Sequence, residues 1–389
     1  MKKKIFIVTV FLLLFLCSSF CYGANVQISA PSAILVDTHT GKILYEKNAN
    51  EKMYPASTTK MLTAIIAIEN CNLQDVVTIS DYAVSSIPSS YAGLKLEIGE
   101  KLTVEQLLNV LLIASSNIAG NALAEHISGN INDFAVLMNN KSAEIGCKNS
   151  NFVNPYGLHD DNHYTTAYDL CLIARYGMQN DIFKEIVAKK SYTIPATNKN
   201  SNSRTVYSTN ELLNTPDNKT TSFIYPYATG VKTGFTGPAK ECLVASANKN
   251  NFEIISVVLG ANTNDLKYVD TTKLFDFAYD NYEYGAITNE EIPVASTVIK
   301  NAKEENKTLD LYAENEIYTL IEKNVDLNFV PEINLKDNLK APIQINDVVG
   351  TVSYEIDGNR YTTNLVAKEN VEKASVFRQL IRFISNLFS

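Results

Sequence analysis

Apolar residues change their period several times along the chain, and the changes mark out its elements. The first run, Ile5 to Leu16, is broken only by Thr9 and follows Lys2, Lys3 and Lys4. It is shorter than the ~20 apolar residues a membrane-crossing helix needs. Small and polar residues come next, with Cys21 and Gly23 fitting the small-residue cleavage positions. Residues 1–23 are therefore expected to be a secretory signal cleaved after Gly23. Phe20 before Cys21 and Leu16 before Cys17 argue against a lipid-modified cysteine. The next apolar runs, Ala33–Asp37 and Lys42–Tyr45, predict strands joined by the turn Thr38–Gly41. Met61–Ile68 is apolar nearly all round, which predicts a buried helix. Helical periodicity returns in Val104–Ile113 and Asn117–His126, then in about 131–145 and 167–176. Beyond Gly230, Cys242–Ala247 and Glu253–Leu259 predict strands around the turn Asn248–Asn251, and Asp270–Tyr282 predicts a closing helix.

Strands at both ends of a helical block predict an α+β unit over residues 24–286: one antiparallel sheet with helices packed on its faces. From Ile287 to Ala367, short β-like runs such as Glu316–Ile321 and Val348–Tyr354 predict a separate small all-β domain. Residues 368–389 differ again. Phe377, Leu380, Ile381, Ile384, Leu387 and Phe388 share one helical face, with Lys373, Arg378 and Arg382 among the polar positions. Such an amphipathic helix suits the membrane interface better than a span; docking on the β domain and oligomerisation are the alternatives.

The formal charge of −8 becomes −11 once the three signal lysines are removed. An acidic, well-mixed chain offers no general attraction for nucleic acid. Cys71, Cys147, Cys171 and Cys242 survive processing without C-x-x-C spacing, so no metal site is expected. One or two disulfides and scattered buried thiols both remain open.

Three short patterns can carry chemistry. Ser57-Thr-Thr-Lys60 puts a hydroxyl and an amine on one face at a helix start. A lysine shielded from water and near other cations can lose its proton and take that of the serine. Serine before a helix is also an ordinary cap, and Ser246-Ala-Asn-Lys249 repeats the spacing at a strand end. Ser115-Ser-Asn117 falls where one helix yields to the next, but Ser128-Gly-Asn130, Ser208-Thr-Asn210 and Ser246-Ala-Asn248 share its spacing. The first of these sits where a helix should end and fits a C-cap. Lys232-Thr-Gly234 occurs once, with Lys232 and Gly234 on one face of a strand. Its glycine would admit a substrate backbone, while the plain alternative is an edge strand blunted by lysine.

In this order, with steps of 58 and 117 residues, the three resemble the motifs of the penicillin-recognising serine enzymes. Tyr54–Met61, Asn154–His159, His163–Leu170 and Gly230–Thr236 make the chain similar to the D-alanyl-D-alanine carboxypeptidases, the low-molecular-mass penicillin-binding proteins. The resemblance implies peptidoglycan stem peptides as substrate, β-lactam antibiotics as covalent inhibitors, no cofactor, and work on the outer face of the cytoplasmic membrane. It implies Ser57 as nucleophile, Lys60 as general base, and Ser115 and Asn117 as proton relay and amide holder. Lys232 and Thr233 would hold the substrate carboxylate, beside Gly234, with the N–H groups of Ser57 and Phe235 as oxyanion hole. Two positions depart from the family pattern: Ala239-Lys240 replaces Ala-Gly, and Lys267 stands where an arginine is common.

Two rivals share the fold. A β-lactamase would want Glu-x-x-Leu-Asn, and Glu211-Leu-Leu-Asn214 is one residue short and 21 residues before Lys232. An endopeptidase on cross-linked peptidoglycan would use the same Ser57 chemistry. A non-catalytic wall-binding scaffold is the third alternative, against which Ser57, Lys60 and Lys232 are all intact.

Overall fold

The computed structural model describes residues 26–88, 94–213, 223–324 and 329–387. The signal segment lies outside the described residues. The chain divides into two compact units.

The first unit opens with β1 (Ser32–Asp37) and β2 (Ile43–Lys47), followed by a short 3-10 helix, Ala56–Thr59. It runs straight into α1 (Lys60–Asn70), whose first eight residues are all buried, as an apolar sequence without a polar stripe requires. Then come β3 (Val76–Thr78), α2 (Asp81–Ser85) and β4 (Lys101–Thr103). Thr103 and Gln106 form a reciprocal capping box that starts α3 (Val104–Leu112). Ser116 caps α4 (Asn117–Ser128), which ends on Gly129 at φ 76°. Asn130 caps α5 (Ile131–Ile145), so Ser128-Gly-Asn130 is helix punctuation and not a site. The remaining helices of the block are α6 (Ala167–Gly177) and α7 (Asp181–Ala188). The hairpin β5 (Ser191–Ile194) and β6 (Arg204–Tyr207) precedes β7 (Ala228–Thr236), β8 (Lys240–Lys249), β9 (Phe252–Ala261) and α8 (Asn264–Asn281).

The main sheet has the order β2-β1-β9-β8-β7, so strands from both ends of the unit meet in it. Asn250 and Asn251 between β8 and β9 both have positive φ, the requirement of a tight hairpin turn. Ser246, the decoy serine, is buried on β8 and bonded to Thr229 at 2.7 Å. The closing helix begins at Asn264, six residues before the expected Asp270. The hydroxyl of Thr263 accepts from the Leu266 N–H there, and the polar start of α8 concealed it.

In the second unit, β10 (Tyr282–Ala286) was expected to end the first domain; instead it pairs antiparallel with a strand of this unit. The strands that follow are β11 (Ala295–Val298), β12 (Thr308–Ala313), β13 (Tyr318–Glu322), β14 (Glu332–Leu335), β15 (Val348–Ile356) and β16 (Asn359–Ala367). They form a sheet of order β11-β12-β16-β15-β14 and the pair β10-β13. Leu309, Leu311, Val352 and Leu365 centre its core.

The terminal helix α9 covers Val376–Leu387, a later start than residue 368. Val371 bridges Ile343 and Lys373 bridges Ala302, and Val371 and Ala374 are buried. That stretch therefore belongs to the β unit. Among the described residues no helix is long and apolar enough to cross a membrane, and Cys71, Cys147, Cys171 and Cys242 are free thiols.

Candidate active site

The site is built on the turn that delivers the chain into α1. Ala56 is buried and holds φ at 48°, a left-handed conformation that costs a residue with a Cβ about 1 kcal/mol or more. Ser57 follows, half-buried. Lys60 is fully buried, with Nζ 2.8 Å from Ser57 Oγ and donating to the Tyr156 carbonyl at 2.7 Å. Burial, and secondly the charge of Lys232, push Lys60 well below the usual lysine range. An amine so placed, once it gives up a proton, keeps an N–H on Tyr156 and can turn a lone pair to the Ser57 hydroxyl.

β7 passes directly against this turn. A Cβ on Gly234 would lie 3.0 Å from Pro55 O and Ser57 N and 3.1 Å from Thr58 N, all backbone atoms. The glycine of Lys-Thr-Gly is thus required by the protein's own packing, where the sequence suggested room for a substrate backbone. Lys232 is buried and donates to the Thr233 carbonyl at 2.9 Å. Burial first, and then the charge of Lys267, bring it down to about 7. The Phe235 side chain is 60% exposed, although its backbone continues the same strand.

Ser115 has φ 59° in the corner between α3 and α4, and Asn117 opens α4, which packs on α1. Thr209 ties that corner to β7: its N–H donates to the Ile113 carbonyl at 3.2 Å, and its hydroxyl is 2.6 Å from that of Thr233. Ser208-Thr-Asn210, which shares the spacing of Ser115-Ser-Asn117, therefore carries a stitch between two of the motifs. Nothing in its sequence pattern singled out Thr209.

Sequence reasoning also left residues 151–165 without a role. The segment is pinned at its base by the backbone pair Asn151–Tyr164 and the bridge Met53–Thr165. It then follows the nucleophile turn closely. Pro155 O accepts from Thr63 Oγ1 at 2.6 Å. Gly157 sits at φ 85°, where a Cβ would fall 1.8 Å from Ala56 O. His163 Nε2 is 2.8 Å from Thr59 Oγ1, and its Nδ1 accepts from the Val153 N–H at 3.1 Å. Burial lowers His163 to about 4, so the ring is neutral at physiological pH. The sequence signal was the Asn-Pro-x-Gly turn chemistry at 154–157.

Lys267 lies in the first turn of α8, buried and ion-paired with Glu241, the cross-strand partner of Phe235. Glu211, the rival β-lactamase carboxylate, accepts from Asn264 Nδ2 at 3.0 Å, while Asn214 falls outside the described residues.

A serine hydroxyl beside a buried lysine whose proton is loosened by burial, roofed by a strand bearing a second buried lysine, is the layout of a serine acyl-transfer enzyme. The family model for D-alanyl-D-alanine carboxypeptidase matches residues 21–263, and that for the penicillin-binding protein 5 C-terminal domain matches residues 289–373. The chain is 36% identical to the D-alanyl-D-alanine carboxypeptidase DacF of Bacillus subtilis, over 91% of this chain and 88% of that one. The solved penicillin-binding protein 5 of Haemophilus influenzae is 29% identical, with TM-score 0.65 over 90% of this chain and 99% of that one. The peptidoglycan synthesis regulatory factor PBP3 of Streptococcus pneumoniae is 26% identical, with TM-score 0.69 over 89% of this chain and all of that one (100%). The chain belongs to the D-alanyl-D-alanine carboxypeptidase family.

Proposed function

We propose that the chain is a serine-type carboxypeptidase that removes the terminal D-alanine from peptidoglycan stem peptides. Ser57 Oγ attacks the carbonyl between the two D-alanines as its proton passes to Lys60 Nζ. The oxyanion is held by the N–H groups of Ser57 and Phe235. Collapse breaks the peptide bond, and the departing amine takes a proton relayed from Lys60 through Ser115. Asn117 holds the substrate amide, while Lys232, Thr233 and Lys267 receive the terminal carboxylate. Water then cleaves the Ser57 ester, releasing the shortened stem. β-Lactams acylate the same oxygen.

The 2.8 Å approach of Lys60 to Ser57, with Lys60 pulled well below the usual lysine range by burial, carries this reading. Export after loss of residues 1–23, and peripheral attachment to the outer face of the membrane through α9, complete it. The test is D-alanine release from a peptide ending in D-Ala-D-Ala by the mature chain, with Ser57→Ala beside it. Release that vanishes in the variant is the expected result. A penicillin adduct on Ser57 without release would replace the proposal with endopeptidase specificity, and neither adduct nor release would favour a binding scaffold.

A further inference from the structure

We propose that His163 and Thr59 form a positioning relay that fixes the direction of the Ser57 N–H, and through it the oxyanion hole. The inference rests on the acyl-transfer reading of Ser57. Val153 N–H donates to His163 Nδ1 at 3.1 Å, which makes Nδ1 the acceptor and leaves the ring hydrogen on Nε2. Nε2–H then donates to Thr59 Oγ1 at 2.8 Å, and the Thr59 hydroxyl donates onward to the Ala56 carbonyl at 2.8 Å. Thr59 and His163 are both buried, so no water replaces a lost member of the chain.

The last acceptor matters most. The Ala56 carbonyl and the Ser57 N–H are the two ends of one planar peptide, pointing in opposite directions. Holding the oxygen therefore aims the hydrogen. Ala56 is in the left-handed region, which an alanine leaves readily unless its neighbours hold it. Gly157 packs against the same carbonyl, where any side chain would collide with it and with the Thr59 hydroxyl. With the relay broken, this peptide is free to rotate, and Ser57 keeps its hydroxyl and Lys60 but loses the aligned N–H.

The test compares Thr59→Val, which keeps the shape and removes the hydroxyl, with Thr59→Ser, which restores it, in the full mature chain. His163→Leu and His163→Gln repeat the contrast from the other partner, since glutamine keeps a donor near Nε2. Acylation of Ser57 by benzylpenicillin is measured per titratable site, so misfolded protein does not enter the rate. We expect Thr59→Val and His163→Leu to acylate at least about tenfold more slowly, because loss of an oxyanion donor costs about two to three decades and misaiming it costs part of that. For the peptide, kcat should fall by a similar factor while KM stays within about twofold; Thr59→Ser and His163→Gln should recover most of the rate. Wild-type rates in Thr59→Val and His163→Leu, or a Thr59→Ser variant as slow as Thr59→Val, would overturn the relay. A wild-type protein that is acylated but releases no D-alanine defeats the carboxypeptidase reading alone.

Discussion

At the scale of single residues, the site is organised by burial of groups that would rather be wet. Lys60, Lys232 and Lys267 are all buried, and Lys267 is ion-paired with the carboxylate of Glu241. Burial pulls Lys60 well below the usual lysine range and Lys232 down to about 7, the direction a serine-activating amine needs. His163 follows the same rule with a measurable consequence for stability. Its folded value of about 4 lies below the ordinary 6.5, so between these values the unfolded chain binds the additional proton. Stability from this group is fully present above about pH 6.5 and is lost as pH falls towards 4. The loss is on the order of 3 kcal/mol, from 1.36 kcal/mol per unit. Urea midpoints of the wild type and His163→Gln, followed from pH 7 to 4, check this: the difference between the two should shrink towards acid. Parallel curves would mean that His163 is not the titrating group.

Among elements, what the sequence disclosed depended on period. The strands β1, β2, β8 and β9, the helices α1 and α3 to α6, and the turn at Asn250 and Asn251 all follow from alternation, a 3.6 repeat or turn chemistry. The segment 151–165 has no repeat, and its importance comes from backbone carbonyls turned to α1, which no side-chain pattern encodes. The polar first turn of α8 hid the inward-pointing Tyr268, and its buried Lys267 was legible only through the resemblance. The nucleophile, its lysine and the Lys-Thr-Gly strand were legible as motifs; Thr59 and His163 lay in runs that carried the resemblance, but their roles, like that of Thr209, became visible only as contacts. Gly234 marks the same boundary: its type was legible, its reason was not. Gly234→Ala must push β7 away from three backbone atoms of the nucleophile turn, none of which is a flexible tip. We expect kcat/KM to fall at least about a hundredfold, since small misplacement of reacting groups is that costly. The melting temperature should also drop, as overpacking costs about 1–3 kcal/mol. A variant with wild-type acylation by penicillin would show that the strand has slack.

For the whole molecule, the question is what α9 does. Its apolar side chains Val376, Phe377, Leu380, Ile381, Phe383 and Ile384 are each 47–83% exposed. Its two arginines do not face outward as free cations. Arg378 Nη1 donates to the Lys303 carbonyl at 2.9 Å, and Arg382 donates to the carbonyls of Ala302 at 2.7 Å and Lys303 at 3.0 Å. They fasten the helix to its own unit, so the membrane attachment proposed for α9 would rest chiefly on its apolar face. Membrane binding should therefore weaken little between 0.1 and 0.5 M salt, unlike binding through a basic patch, for which the Debye length of about 10 Å at 0.1 M sets a steep dependence. The truncation point decides what a deletion reports. Removing 376–389 takes away only α9 and should release the protein from membranes with D-alanine release intact. Removing 371–389 also extracts Val371 and Ala374 from the β unit, at a cost of about 2–4 kcal/mol for lost buried apolar groups. Membrane fractionation and thermal melts of the two truncations separate the roles. Retention of the 376–389 deletion on membranes would place the attachment elsewhere in the chain, and equal melting temperatures would return Val371 and Ala374 to the tail.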